Sequence, residues 1–150
     1  MAPKRDSEKA QPLRWYRGAD VPMRVIHQYA RQVAERFQPE KIILFGSYAY
    51  GTPHEDSDVD ILVVMPARNQ IDQACRIDDA IDPPFPLDLI VRTPKDLAWR
   101  LAEGDWFLRE IMAKGKVLYE KDDGRVGGQG RIRLRRRLRG AALAQEVAAG

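Results

Sequence analysis

Asp58 and Asp60 stand one residue apart at the head of an apolar run, Ile61-Leu62-Val63-Val64. Side chains at i and i+2 of a strand point to the same face, so the two carboxylates project together. Side by side near apolar surface they repel, and each resists ionisation unless something neutralises it. A divalent cation does so, and carboxylate oxygens are the hard ligands that Mg²⁺ prefers. Upstream, Gly46-Ser47 follows the β-forming run Lys41–Phe45. Glycine lets the backbone approach a ligand closely and take positive φ, and a serine offers a hydroxyl and an N–H to a phosphate oxygen. A third carboxylate, Asp88, lies in the run Pro86–Val91. A phosphate cradle beside a metal-binding Asp pair is equipment for phosphoryl or nucleotidyl transfer, with two cations clamping the attacking and leaving oxygens, typically about 3.5–4 Å apart.

The surrounding elements must bring these groups together. Ile26, Tyr29, Ala30, Val33 and Phe37 recur at helical spacing, which predicts a helix opened by Asp20 as N-cap, with Pro22 in its first turn, and closed by Gln38-Pro39. Strands are expected at 41–45, 58–64 and 86–91, the second apolar on both faces and therefore central. Residues 69–82 read as a helix. Thr93-Pro94-Lys95-Asp96 is a helix start running to about Gly104, Asp105 caps a further helix that Gly115 stops, and 116–120 adds a short edge strand. The connection 46–57 suits antiparallel neighbours, whereas 65–85 is long enough for a helical crossover between parallel strands. Parallel pairing sets the start of the third strand beside the start of the second, so Asp88 joins Asp58 and Asp60 if the register allows. The expected fold is α/β (α+β): a small mixed β-sheet flanked by helices.

The run Gly46-Ser47-Tyr48-Ala49-Tyr50-Gly51-Thr52-Pro53-His54-Glu55-Asp56-Ser57-Asp58-Val59-Asp60 reads Gly-Ser, ten residues, Asp-x-Asp. It resembles the signature of the polymerase-β-like nucleotidyltransferase superfamily, within it the minimal nucleotidyltransferases, over residues 21–120. The resemblance implies that Asp58 and Asp60 bind both of two Mg²⁺ ions. Asp88 completes the one that activates the acceptor hydroxyl and helps to remove its proton, and Gly46 and Ser47 hold the triphosphate of ATP. It also implies a partner, because many stand-alone minimal nucleotidyltransferases are antitoxins of a HEPN-type toxin and some adenylylate a tyrosine of it. Two alternatives stay open: an antitoxin that neutralises by binding alone, and a small-molecule nucleotidyltransferase of the aminoglycoside type.

Bulk properties narrow the field. The 150 residues suit one modest domain, and no apolar run approaches the roughly 20 residues of a membrane span. The N-terminus lacks the apolar stretch of a secretory signal, and Cys75 stands alone, so a reducing, cytoplasmic setting is expected. The net charge of +3 conceals a division. Residues 124–150 hold seven Arg against one Glu, which leaves 18 basic and 21 acidic side chains for residues 1–123. The basic character thus belongs to a tail, against a nucleic-acid footprint on the folded body. Residues 1–19 are read as a loose leader, 20–122 as the nucleotidyltransferase domain and 123–150 as a disordered Gly/Arg-rich tail, whose contact with nucleic acid or an acidic partner is the lesser alternative. His54, Glu55 and Asp56 are read as solvated loop, Cys75 as buried or half-buried, and Trp99, Trp106 and Phe107 as core or partner contacts. The adenine contact has no assigned residue.

Overall fold

The structure, a computed structural model, describes residues 15–121. Most of the leader, 1–14, and the tail from 122 onward lie outside the described residues. Every element below belongs to the compact unit that ends at Glu120.

Helix α1 (Met23–Phe37) buries one stripe, Val25, Ile26, Tyr29, Ala30, Val33 and Ala34, as its periodicity requires. Its cap corrects the sequence reading: Pro22, not Asp20, is the N-cap, and no side chain bonds the first turn. Gln38 ends the helix in the left-handed conformation, its N–H bonded to Ala34 O. Strand β1 (Lys41–Phe45) follows, then the single turn α2 (Ser47–Tyr50), strand β2 (Val59–Val64), helix α3 (Gln70–Ala80) and strand β3 (Leu87–Arg92). Helices α4 (Pro94–Ala102) and α5 (Trp106–Lys114) and strand β4 (Lys116–Glu120) complete the order. The side-chain oxygens of Asn69, Thr93 and Asp105 accept the amides of Asp72, Asp96 and Leu108, capping α3, α4 and α5.

The sheet order is β3-β2-β1-β4. β1 runs antiparallel to β2 and β4, and β2 runs parallel to β3. β2 is internal and covered on both sides, hence its apolar faces. Val59, Ile61 and Val63 look toward α1 and α3 in one core cluster, while Leu62 and Val64 join Ile43 and Phe45 beneath Leu97, Leu108 and Ile111 of α4 and α5 in the other. On the first side Tyr29 meets Phe85 edge to face, ring centroids 5.7 Å apart. Cys75 differs from its expected setting. It is exposed, because the buried position of α3 is Ile77.

The last leader residues are tied down. Tyr16 N donates to Pro84 O at 2.9 Å, the buried Tyr48 hydroxyl donates to Gly18 O, and Val21 N donates to the same hydroxyl at 3.1 Å. Among the described residues no helix is long and apolar enough to cross a membrane.

Candidate active site

Strand register decides where the carboxylates meet. β2 and β3 pair Asp60 with Asp88, and β1 and β2 pair Phe45 with Asp60. Because Leu62 and Val64 belong to the α4/α5 side, Asp60 at the same parity projects there, and its cross-strand neighbour Asp88 projects with it. Asp58 lies one residue before β2, so the strand begins at Val59 rather than at 58. Asp58 and Asp88 are exposed and Asp60 is partly buried between them.

The electrostatics follow. Burial, then the charge of Asp88, then that of Asp58, push the Asp60 carboxyl up from 3.8 to about 6. Asp60 therefore lies near enough to both neighbours to feel their charge. Even so, among the described residues no three Asp, Glu, His or Cys side chains are drawn up as a finished metal cage. Strand pairing sets the backbones of Asp60 and Asp88 side by side whatever rotamers the two carboxylates take.

Gly46 is where the sequence had no freedom. Its φ of 74° and ψ of −161° fall in a region essentially reserved for glycine. A Cβ built there would stand 2.1 Å from Asp60 Oδ2. The turn backbone and the Asp60 carboxylate thus share one small space, as a site joining a phosphate cradle to a carboxylate requires. Beyond Gly46 the chain enters α2, whose first amides have no acceptor within the helix. Ala49 N and Tyr50 N return to Gly46 O at 3.0 and 3.1 Å, which closes the turn.

Ser47 does more locally than its sequence position suggests. Its hydroxyl donates to Ser57 Oγ at 2.9 Å, and His54 N donates to the same oxygen at 2.8 Å. Ser57 is 7% exposed, so this small network centres on a buried side chain. Ser57 N bonds back to His54 O at 2.9 Å, so the loop that delivers Asp58 is clasped to the turn that begins at Gly46. His54, Glu55 and Asp56 are exposed as expected. Sequence reasoning singled out neither Ser57 nor Tyr48 for a role. A serine directly preceding the Asp-x-Asp was a usable signal for the first. The hydroxyl of Tyr48 bonds a carbonyl 30 residues away, and nothing local announces that.

The sites read from the sequence are therefore gathered at one edge of the sheet: Gly46 and Ser47 at the end of β1, Asp58 and Asp60 at the start of β2, Asp88 at the start of β3. The family model for a nucleotidyltransferase domain matches residues 26–119, which spans all five. This chain belongs to the nucleotidyltransferase domain family. Nucleotidyl transfer is the activity that membership carries. No curated protein matches the chain. Among solved structures, a crystal structure of a candidate nucleotidyltransferase from Sulfolobus solfataricus is similar at 18% identity, with a TM-score of 0.45, over 69% of this chain and 85% of that one.

Proposed function

We propose that this nucleotidyltransferase is metal-dependent and moves AMP from ATP to an acceptor hydroxyl, a tyrosine of a HEPN-type toxin, so that it acts as an antitoxin by adenylylation. The observation that carries the chemistry is the pairing of Asp60 with Asp88 beside a glycine whose missing Cβ leaves room for the Asp60 carboxylate.

The donor set is all carboxylate, which suits Mg²⁺. Asp58, Asp60 and Asp88 would hold it. When bound, such ions neutralise the carboxylates, polarise the α-phosphate and lower the pKa of the acceptor hydroxyl. The remaining work belongs to the chain. The Gly46-Ser47 turn presents its first-turn amides, that of Ser47 among them, to triphosphate oxygens, while the Ser47 hydroxyl is spent on Ser57. Ser57 holds Ser47 and the 54–58 loop in place. Asp88, exposed on edge strand β3, faces the acceptor and takes its proton. The acceptor oxygen bonds to the α-phosphorus, the bridging α–β P–O bond breaks, and pyrophosphate leaves.

Incubating the protein with α-labelled ATP, Mg²⁺ and a HEPN-type protein should label the latter on tyrosine, and Asp60→Asn should abolish the label. Undiminished labelling by that variant would remove the assigned site.

The alternative reading is an antitoxin that neutralises by covering its toxin. Neutralisation that survives Asp58→Asn and Asp60→Asn together would select it.

A further inference from the structure

The position of α5 relative to the carboxylate edge gives its first turn a use. Gly115, at its C-terminal end, sits against Ile43 and Leu44, where an added Cβ would come within 2.7 Å of Ile43 Cγ2 and 3.0 Å of Leu44 O. Phe107, at the other end, meets the Phe45 ring edge to face, centroids 5.7 Å apart and planes at 85°. The helix therefore packs across β1 on the face to which Asp60 and Asp88 project. Its first turn lies next to Phe45, the residue that precedes Gly46-Ser47 and pairs with Asp60.

That turn carries two neighbouring aromatic side chains which the fold does not consume. Leu108 and Ile111 supply the buried side of α5, while Phe107 is 41% exposed and Trp106 71%. Phe45, against which Phe107 packs edge to face, is 6% exposed, so contact with the core fixes the Phe107 ring while 41% of the residue stays open. A fixed, part-exposed aromatic ring beside the Gly46-Ser47 turn suits a planar ligand, and every nucleobase has a π-face to offer.

We propose that the first turn of α5, with Phe107 as platform and Trp106 beside it, receives the nucleobase of the donor nucleoside triphosphate. This rests on the proposed nucleotidyl transfer and adds the contact that holds the base. The donor, not the acceptor, is the occupant because of sheet order. Phe107 lies over β1, which continues into the phosphate turn, whereas the acceptor side is at Asp88 on β3, beyond β2. A base stacked there is read by its ring and not by hydrogen-bonded edges, so the subsite favours purines over pyrimidines by stacking area.

The test separates ring from phosphates. A non-hydrolysable ATP analogue and inorganic tripolyphosphate, each with Mg²⁺, are titrated calorimetrically into the full chain, as wild type, Phe107→Leu and Trp106→Ala. Phe107→Leu keeps apolar contact with Phe45 and removes the π-face, and Trp106→Ala alters a side chain the core does not use. The expected result is analogue binding weakened about 10-fold in Phe107→Leu, within the roughly five- to hundredfold range for loss of one stacked base, with tripolyphosphate binding unchanged. Trp106→Ala is expected to lose a smaller factor on the analogue alone. Unchanged analogue binding in both variants, or equal losses on both ligands, would overturn the platform. A wild-type chain that binds neither ligand would instead strike the functional reading beneath it.

Discussion

Replacing Gly46 by alanine adds one methyl group, and its consequences can be worked from the site. The new Cβ would stand 2.1 Å from Asp60 Oδ2, whereas ordinary contact begins near 3.4 Å, so the carboxylate must retreat by about 1 Å. The backbone must also hold φ 74°, ψ −161° with a side chain in place, a strain of about 1–3 kcal/mol. For a domain of this size that lowers Tm by roughly 5–20 °C. A displacement of about 1 Å at a reacting centre costs on the order of 100-fold in rate. Gly51→Ala is the matched control. Its φ is 80°, so strain is present, but a Cβ there meets nothing within 4 Å. Transfer of AMP from labelled ATP, measured below the Tm of each variant, should fall about 100-fold in Gly46→Ala, while Gly51→Ala loses Tm and keeps activity within about threefold. Equal activity in the two variants would refute the claim that Gly46 is glycine because of Asp60.

Asp60 should weaken the metal-free fold it serves. Its carboxyl rises to about 6 on folding from 3.8, so the folded state binds the proton more readily. That contribution is complete below about pH 4 and is lost as pH rises through about 6. In EDTA the Tm of wild type should therefore fall between pH 5 and 7 by more than that of Asp60→Asn, which at pH 7.5 should be the more stable by about 1 kcal/mol once partial exposure is discounted; a less stable Asp60→Asn would contradict the electrostatics. Ser57→Ala strands the Ser47 hydroxyl and His54 N, costing about 1–3 kcal/mol and loosening Asp58, so chemical denaturation should register the loss and kcat should fall. Tyr48→Phe should cost about 1–3 kcal/mol through Gly18 O and Val21 N, visible as faster amide exchange at Val21, with the carboxylate edge intact.

Much of this architecture was legible because the determinants are local. Thr93-Pro94 and Asp105 announce helix starts through capping geometry that needs only a few residues, whereas Gly115 ends α5 in extended backbone and is small because Ile43 and Leu44 lie against it. The doubly apolar β2 declared itself internal, and connection lengths fixed which neighbours run parallel. The meeting of Asp60 with Asp88 was legible only as a permitted register. A shift by one residue would have sent Asp88 to the α1/α3 side. What stayed hidden is long-range. Pro22 displaces Asp20 as the N-cap of α1, while nearby Val21 N is held by the Tyr48 hydroxyl, from 27 residues away. Phe107 and Trp106 read as core or partner contacts, and only the packing of α5 on β1 sets Phe107 beside Phe45 and leaves Trp106 71% exposed.

The most direct test of the shared carboxylate site is Mn²⁺ uptake in the presence of a non-hydrolysable ATP analogue, followed by electron paramagnetic resonance. Wild type should show saturable, nucleotide-dependent binding that is lost in Asp60→Asn and reduced in Asp58→Asn and Asp88→Asn. Equal Mn²⁺ uptake by all four proteins would mean that these three side chains do not hold the metal.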